Sequence, residues 1–129
     1  MKITQQREDG INLIRRYGAD FIVIGENEIR ESCIVGANSF ARWTPRSVDE
    51  LTAEHIAPLF ALNPEIVVLS TGARQVFPRA ALRAEFATRK IGLEVMEIGA
   101  ACRTYNVLVG EERKVLVALL LPGPSKGPE

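Results

Sequence analysis

Two stretches of the chain are apolar without interruption, Ile66–Leu69 and Val115–Leu121. A strand with one face in water alternates apolar and polar residues, whereas a strand without alternation must be covered on both faces. Such strands are typical of a parallel sheet that lies between helices. Between the two, Leu93–Met96 has the length and composition of a third strand.

The segments that separate these strands have the spacing of helices. Pro78 suits a first helical turn, and Arg79–Lys90 places apolar residues on one face before Gly92 ends the pattern. A further helix is predicted from about Ala100 to Val109, with Gly110 as its C-terminal stop. Strand, helix, strand, helix and strand with right-handed crossovers predict a βαβαβ unit.

The first third of the chain has shorter apolar segments separated by glycine-containing stretches, which is typical of antiparallel strands joined by tight turns. These segments are Ile11–Ile14, Phe21–Ile24, Ile29–Val35 and Phe40–Trp43. The predicted fold class is therefore α/β, with a mixed sheet in which N-terminal antiparallel strands extend or cover a C-terminal βαβαβ parallel unit with helices packed on it.

Between these two parts, Ser47 and Glu50 have the spacing of a capping box, which predicts a helix start. The helix would carry Ile56, Leu59 and Phe60 on one stripe. Pro58 removes an amide donor and crowds the preceding turn, so we expect this helix to bend or break near its end.

The length and charge of the chain restrict the classes of function. Residues 1–121 are predicted to form a single domain, and residues 122–129 a disordered tail that has too little apolar surface to order itself. The 16 basic and 16 acidic residues balance, so no overall field attracts nucleic acid. No apolar run reaches the roughly 18 residues of a membrane span, and Met1–Gln6 lacks a signal core.

The cysteines indicate a compartment rather than a chemistry. Cys33 and Cys102 are far apart in the sequence, with no paired cysteine motif and no neighbouring histidine, which disfavours a zinc site or a redox pair. We expect both thiols to be reduced in the cytoplasm. No metal, cofactor or catalytic constellation is predicted.

A candidate ligand site lies where two of the predicted parallel strands end, because ligands of open α/β sheets gather beyond the carboxyl ends of strands. One segment, Ser70–Arg74, follows the strand that ends at Leu69, and the other, Gly99–Asn106, follows the strand that ends near Ile98. Backbone amides after each glycine and two guanidinium groups would bind an anion or a small polar ligand. The candidate residues are Ser70, Thr71, Gly72, Arg74, Gly99, Cys102, Arg103, Thr104 and Asn106.

The same residues also have a structural interpretation. Glycine, serine and threonine are what a tight strand-to-helix turn requires, and neither segment matches a known phosphate-binding motif. Cys102 near a helix start could be a nucleophile, but no base is spaced for it, and a buried small apolar role is favoured. Glu97 is interpreted as a solvated strand end, with a role beside Arg74 or Arg103 as the alternative.

The stretches Ser70–Arg74, Gly92–Met96, Ala101–Asn106 and Arg113–Pro122 resemble a family of small bacterial and archaeal proteins. That family also includes assembly factor three of the alpha subcomplex of mitochondrial respiratory complex I, the NADH dehydrogenase. The resemblance runs from about Ile11 to Pro122, and the residues that match its motifs are Thr71, Gly72, Arg74, Cys102, Thr104 and Asn106. It implies a mixed sheet with packed helices, no established activity or cofactor, and contacts with other proteins.

Two hypotheses of different classes remain open. The first is a non-enzymatic interaction or assembly-accessory module in the bacterial cytoplasm, which binds an unknown protein partner and self-associates through a sheet edge or the Trp43 region. The second is an anionic-ligand-binding domain or enzyme that uses the crevice at the carboxyl ends of the parallel strands, with Arg74 and Arg103 on the anion. Neither hypothesis involves nucleic acid or membrane insertion.

Overall fold

The computed structural model describes residues 10–123, and within them eight strands, three α-helices and one 3-10 turn. In chain order these are β1 (Ile14–Gly18), β2 (Phe21–Ile24), β3 (Asn27–Ile29), β4 (Glu31–Gly36), β5 (Ser39–Arg42), the 3-10 turn (Val48–Glu50), α1 (Ala53–Ala61), β6 (Ile66–Ser70), α2 (Ala80–Thr88), β7 (Gly92–Met96), α3 (Ile98–Gly110) and β8 (Val115–Pro122).

The main sheet has five strands in the order β5-β4-β8-β6-β7. Strand β6 pairs in parallel with β7 on one side and β8 on the other, while β4 is antiparallel to both β8 and β5. Two antiparallel steps make β5 parallel to β8. The predicted mixed sheet with a parallel βαβαβ unit is confirmed, and a further crossover from β5 through α1 to β6 precedes it.

The direction of the crossovers decides which face each helix covers. Right-handed connections from β5 to β6 and from β6 to β7 put α1 and α2 on one face, and the return from β7 to β8 puts α3 on the other. The buried clusters agree: Leu59 and Phe86 pack on one face with Val67, whereas Tyr105 packs on the opposite face with Val68.

The small sheet, β1-β2-β3, is antiparallel and lies beside α3. Its buried side chains Ile14, Ile22, Ile24 and Ile29 belong to the same apolar cluster as Tyr105. The sequence analysis expected the N-terminal strands to extend or to cover the parallel unit, and both arrangements are present. Strands β4 and β5 extend the main sheet, and β1–β3 cover part of one face.

The predicted helix start at Ser47 is wrong. Ser47 begins only the 3-10 turn, its side chain makes no capping bond, and Glu50 Oε1 instead accepts from the Arg46 amide at 2.8 Å. Helix α1 starts after Thr52, whose amide donates to His55 Nδ1 at 3.1 Å. His55 is half-buried on this helix.

Several predicted boundaries also change. Helix α1 continues through Pro58 to Ala61, so the proline does not end the helix at its own position. Gly92 opens β7, and the reversal after α2 falls on Lys90, with φ of 58°. Gly110 is the last residue of α3, and Glu112, with φ of 63°, makes the turn into β8.

The two ends of the chain are described only in part. Pro122, which the sequence assigned to the tail, is the last residue of β8 and pairs with Glu31. The rest of the predicted tail, 124–129, and the Met1–Gln6 segment lie outside the described residues. Of the helices between residues 10 and 123, none has the length and apolar character that crossing a membrane requires.

Candidate functional site

The two candidate segments meet at one edge of the main sheet. Strands β6 and β7 are neighbours, the Thr71 amide donates to the Met96 carbonyl at 2.9 Å, and the Ile98 amide donates to the Gly72 carbonyl at 2.8 Å. Gly72 has φ of 99°, which glycine adopts readily and other residues rarely do. The loop after β6 and the start of α3 therefore form one surface, which we call the strand-end crevice, residues 70–74 and 97–103.

The second segment is a helix rather than a loop. Because α3 begins at Ile98, all of Gly99–Asn106 is helical, and its side chains point in several directions. Cys102 is buried, Arg103 is exposed, and Thr104 is half-buried. The candidate residues of this segment consequently do not converge on one ligand-sized volume.

Glu97 occupies the position that the sequence assigned to an anion. Its Oε1 accepts from the Gly99 amide and its Oε2 from the Ala100 amide, both at 2.8 Å. The Ala101 amide donates to the Glu97 carbonyl at 2.9 Å, so the amides of the first turn of α3 all have acceptors. The interpretation of Glu97 as a solvated strand end is wrong: it is the N-cap of α3.

The charge of Glu97 is stabilised where it lies. The two amide bonds, followed by the nearby Arg103 guanidinium, hold the pKa of this carboxyl below its usual range. The carboxylate therefore stays ionised and remains bonded to the helix start. An external anion would have to displace it from both amides.

The two arginines of the crevice differ in their contacts. Arg103 Nη1 donates to the Tyr17 hydroxyl at 2.6 Å, which joins the start of α3 to β1. Arg74 is exposed and takes part in none of the ion pairs of residues 10–123. Only Arg74 is thus free to swing toward a ligand without breaking a contact with another side chain.

The hydroxyls of the first segment also differ. Thr71 Oγ1 donates to the Arg74 carbonyl at 2.5 Å and accepts from the Val76 amide at 3.1 Å, so it closes the loop after β6. Ser70 is fully buried on the face that α3 covers, and its Oγ is, among the described residues, the buried side-chain atom without a hydrogen-bond partner. Such a group costs about 1–3 kcal/mol.

Neither cysteine has the properties of a nucleophile. Cys33 and Cys102 are buried and unpaired, and burial raises the pKa of each thiol to about 12. For Cys102 the negative charge of Glu97 adds to the effect of burial. Cys102 is buried, as the structural interpretation expected, and a thiol with a raised pKa attacks poorly at neutral pH.

Asn106 and its neighbour Tyr105 hold the N-terminal strands. The Ile14 amide donates to Asn106 Oδ1 at 3.0 Å, and Asn106 Nδ2 donates to the Ile14 carbonyl at 2.9 Å. The buried Tyr105 hydroxyl donates to the Asn12 carbonyl at 2.7 Å. Sequence reasoning missed this role because the partners are more than 90 residues apart and no local pattern signals the pairing.

A groove that the sequence did not indicate lies at the opposite end of the main sheet. It encloses about 430 Å³ between the β4–β5 turn, the α1–β6 turn and the α3–β8 turn, with walls that include Ala37, Leu62 and Pro64. Its rim carries Arg113, whose Nε donates to Glu65 Oε1 at 2.8 Å, together with Lys114. With Glu112, which also lines the groove, the rim has two acidic and two basic side chains, so the groove favours no charged ligand.

Metal ligands are not clustered in the described part of the chain. Within residues 10–123 no group of three or more His, Cys, Asp or Glu side chains has the arrangement of a metal site. The polar groups of the strand-end crevice are therefore not those of a metal site. Between residues 10 and 123 they are the Arg74 guanidinium without an ion pair, the buried Ser70 hydroxyl without a partner, and the Glu97 carboxylate bound to the start of α3.

Comparison with known proteins gives relatives over nearly the whole chain. The chain is 29% identical to a Danio rerio protein named NADH dehydrogenase (ubiquinone) 1 alpha subcomplex assembly factor 3, over 95% of this chain and 71% of the relative. It is 23% identical to a 13 kDa major membrane protein of Francisella tularensis, over 89% and 95%. A Xanthomonas campestris protein solved by NMR superposes with a TM-score of 0.84 at 33% identity, covering 100% of this chain and 98% of that one.

The family follows from a match to a family model. The model described as a protein of unknown function (DUF498/DUF598) matches residues 14–120, which run from the first residue of β1 almost to the end of β8. The resemblance that the motifs of the sequence indicated is confirmed. The chain belongs to the family of proteins of unknown function DUF498/DUF598.

Proposed function

We propose that this protein is a non-enzymatic interaction module that serves as an accessory factor in the assembly of a protein complex in the bacterial cytoplasm. The observation that carries the proposal is that polar side chains in and beside the strand-end crevice are used inside the fold. Glu97 caps α3, Thr71 closes a loop, and Asn106 binds the backbone of β1. A site for chemistry would instead keep such groups free to meet a substrate.

The relatives support the same proposal. The Danio rerio protein is named as an assembly factor, and the aligned part is 95% of this chain and 71% of that protein. The shared part is the α/β domain described above, so an assembly role carried by that domain would be available to both proteins. The buried, unpaired cysteines suit a reducing compartment such as the cytoplasm.

The test is affinity capture followed by reconstitution. The tagged full chain is cross-linked in bacterial cells, captured proteins are identified by mass spectrometry, and each candidate is purified and titrated against the chain. We expect a defined complex whose Kd is unchanged in Arg103→Ala and Cys102→Ala, because the proposal gives neither side chain a chemical step. Failure of every purified candidate to bind would overturn it.

A second candidate function is supported by one observation, the orphaned Ser70 Oγ beneath the crevice. A small anion or polar ligand that entered from the loop side would give this hydroxyl a partner and meet Arg74 and Arg103. In that case inorganic phosphate or a carboxylate should raise the Tm by binding the native state, and Arg74→Ala should abolish the rise. A flat thermal-shift screen leaves the interaction module as the better account.

A further inference from the structure

Acidic and basic side chains are separated on the face of the main sheet that α1 and α2 cover. Between Ser47 and Ala73 the chain has acidic residues but no lysine or arginine, and between Arg74 and Ala84 it has arginines but no acid. Two groups of exposed side chains result. The acidic patch is Asp49, Glu50 and Glu54, and the basic patch is Arg74, Arg79 and Arg83.

The patches lack partners of opposite charge. None of these six side chains takes part in an ion pair formed between residues 10 and 123. Within residues 10–123, Glu50 accepts a bond from the Arg46 amide and Arg83 donates one to the Pro78 carbonyl at 3.1 Å, and neither bond is to an opposite charge. Each patch is therefore available for an opposite charge from outside.

The fold places the two patches side by side. Helices α1 and α2 each lead into one of two parallel neighbours, β6 and β7, so they run in the same direction on the same face. They touch through Phe60 and Phe86, whose ring centres are 4.9 Å apart. Because both helices start at the carboxyl ends of the strands, the acidic patch at the start of α1 lies level with the basic patch at the start of α2.

The surface between and beside the patches can approach another surface closely. Many of the exposed positions of both helices are alanines, which are Ala53, Ala57 and Ala61 on α1 and Ala80, Ala81, Ala84 and Ala87 on α2. The loop that leads into α2 adds Val76 and Phe77, of which Phe77 is 61% exposed. Exposed aromatic and arginine side chains are typical anchors of protein interfaces.

We infer that the outer face of α1 and α2 binds a second copy of this chain in a two-fold symmetric dimer. A two-fold axis that runs parallel to the two helices and between them puts α1 of one copy over α2 of the other. The acidic patch of each copy then faces the basic patch of its partner, and the pairing occurs twice. Such a self-complementary surface is what an isologous interface requires.

The β7 edge of the main sheet fits a second copy less well. Strand β7 is an edge strand, and the symmetric antiparallel pairing centred on it would set Glu94 against the Glu94 of its mate. Like charges directly opposite each other destabilise a strand pair. Trp43, the other route that the sequence suggested, is only 7% exposed and its Nε1 donates to the His55 carbonyl, so it cannot anchor a partner.

The proposed interface is small and depends on charge. A nine-residue helix is about 14 Å long, so two such helices and the adjacent loop reach only the lower end of stable interface areas. We therefore expect a reversible dimer that salt weakens. Raising the ionic strength from about 0.01 M to about 1 M shortens the screening length from about 30 Å to about 3 Å.

The test is sedimentation equilibrium of the full chain, over a range of protein concentrations and at those two salt levels. One variant reverses the basic patch, Arg79→Glu with Arg83→Glu, and another reverses the acidic patch, Asp49→Lys with Glu54→Lys. The control, Arg16→Glu with Glu26→Lys, reverses exposed charges on the small sheet, which adjoins α3 on the opposite face of the main sheet. Circular dichroism confirms that each variant is folded.

We expect the wild type and the control to dimerise and each reversed variant alone to remain monomeric. Mixing the two reversed variants in equal amounts should restore a dimer, because both contacts of the heterodimer then pair opposite charges. A monomeric wild type, reversed variants that dimerise like the wild type, or a mixture that stays monomeric would each overturn the inference. The measurement uses no other protein, so its outcome is independent of the proposed function.

Discussion

Asn106 joins α3 to the N-terminal strands through two hydrogen bonds to the backbone of Ile14, at 3.0 and 2.9 Å. Asn106→Ala removes both bonds and leaves one amide and one carbonyl without partners. Each lost bond costs about 0.5–1.5 kcal/mol net, and each group that water does not reach adds about 1–3 kcal/mol. Because the site is part-buried, we expect a loss of about 2–4 kcal/mol in the free energy of unfolding.

Chemical denaturation followed by circular dichroism measures this loss. For a chain of this length a change of 1 kcal/mol moves the Tm by about 3–5 °C, so the Tm should fall by roughly 10 °C. Val107→Ala is the matched control, since Val107 is the next residue of α3 and is 59% exposed. Surface truncations of this kind usually change stability by less than about 0.5 kcal/mol.

The variant Asn106→Asp distinguishes the contribution of the bond that Asn106 accepts from that of the bond it donates. The aspartate retains an acceptor for the Ile14 amide but turns a negative oxygen toward the Ile14 carbonyl, so the variant should be as unstable as Asn106→Ala at neutral pH. Protonation restores a donor, and the aspartate variant should gain stability relative to the alanine variant as the pH falls. If Asn106→Ala matched Val107→Ala in stability, the assignment of Asn106 as the connection to β1 would be refuted.

Three further predictions concern single side chains. Glu97→Gln should lower the free energy of unfolding at neutral pH by about 1 kcal/mol, as for other N-caps. The pKa of the Glu97 carboxyl is lower in the folded state than the unfolded-state value of about 4.3. The stability difference between wild type and variant should therefore persist above the unfolded-state pKa and vanish as the pH falls through the folded-state pKa. Cys102 should react with iodoacetamide at neutral pH only after unfolding, and rapid labelling of the native protein would contradict its raised pKa. Lys90→Gly should raise the Tm by relieving the left-handed backbone at φ of 58°, and an unchanged or lower Tm would contradict this reasoning.

The sequence predicted the parallel part of the fold because long apolar runs such as Val115–Leu121 have few other stable arrangements. It misplaced the start of α1 because two similar cap patterns lie five residues apart. Ser47 and Glu50 match the preferred residue types at both positions, whereas in the actual cap Thr52 matches and His55 does not. Local pattern alone does not decide between two adjacent helix starts.

The meeting of the two candidate segments was predicted, but the roles of their side chains inside the fold were not. The meeting of the loop after β6 with the start of α3 follows from strand order, which the sequence indicated. The capping by Glu97 did not follow, since glutamate is a less common N-cap than aspartate, asparagine or serine. The role of Asn106 depends on a contact with Ile14 far away in the sequence, which no pattern in a single chain encodes.

The carboxylate at the start of α3 acts as a tethered ligand. Because Glu97 is covalently attached next to the amides that it binds, it competes with any dissolved oxyanion at the effective concentration of an intramolecular group, about millimolar or higher. Removing this carboxylate, as in Glu97→Ala, would leave two backbone donors beside the guanidinium of Arg103 without a side-chain acceptor. One substitution would thus open a helix terminus that the chain itself occupies and offer its two amide donors to sulfate or phosphate from solution.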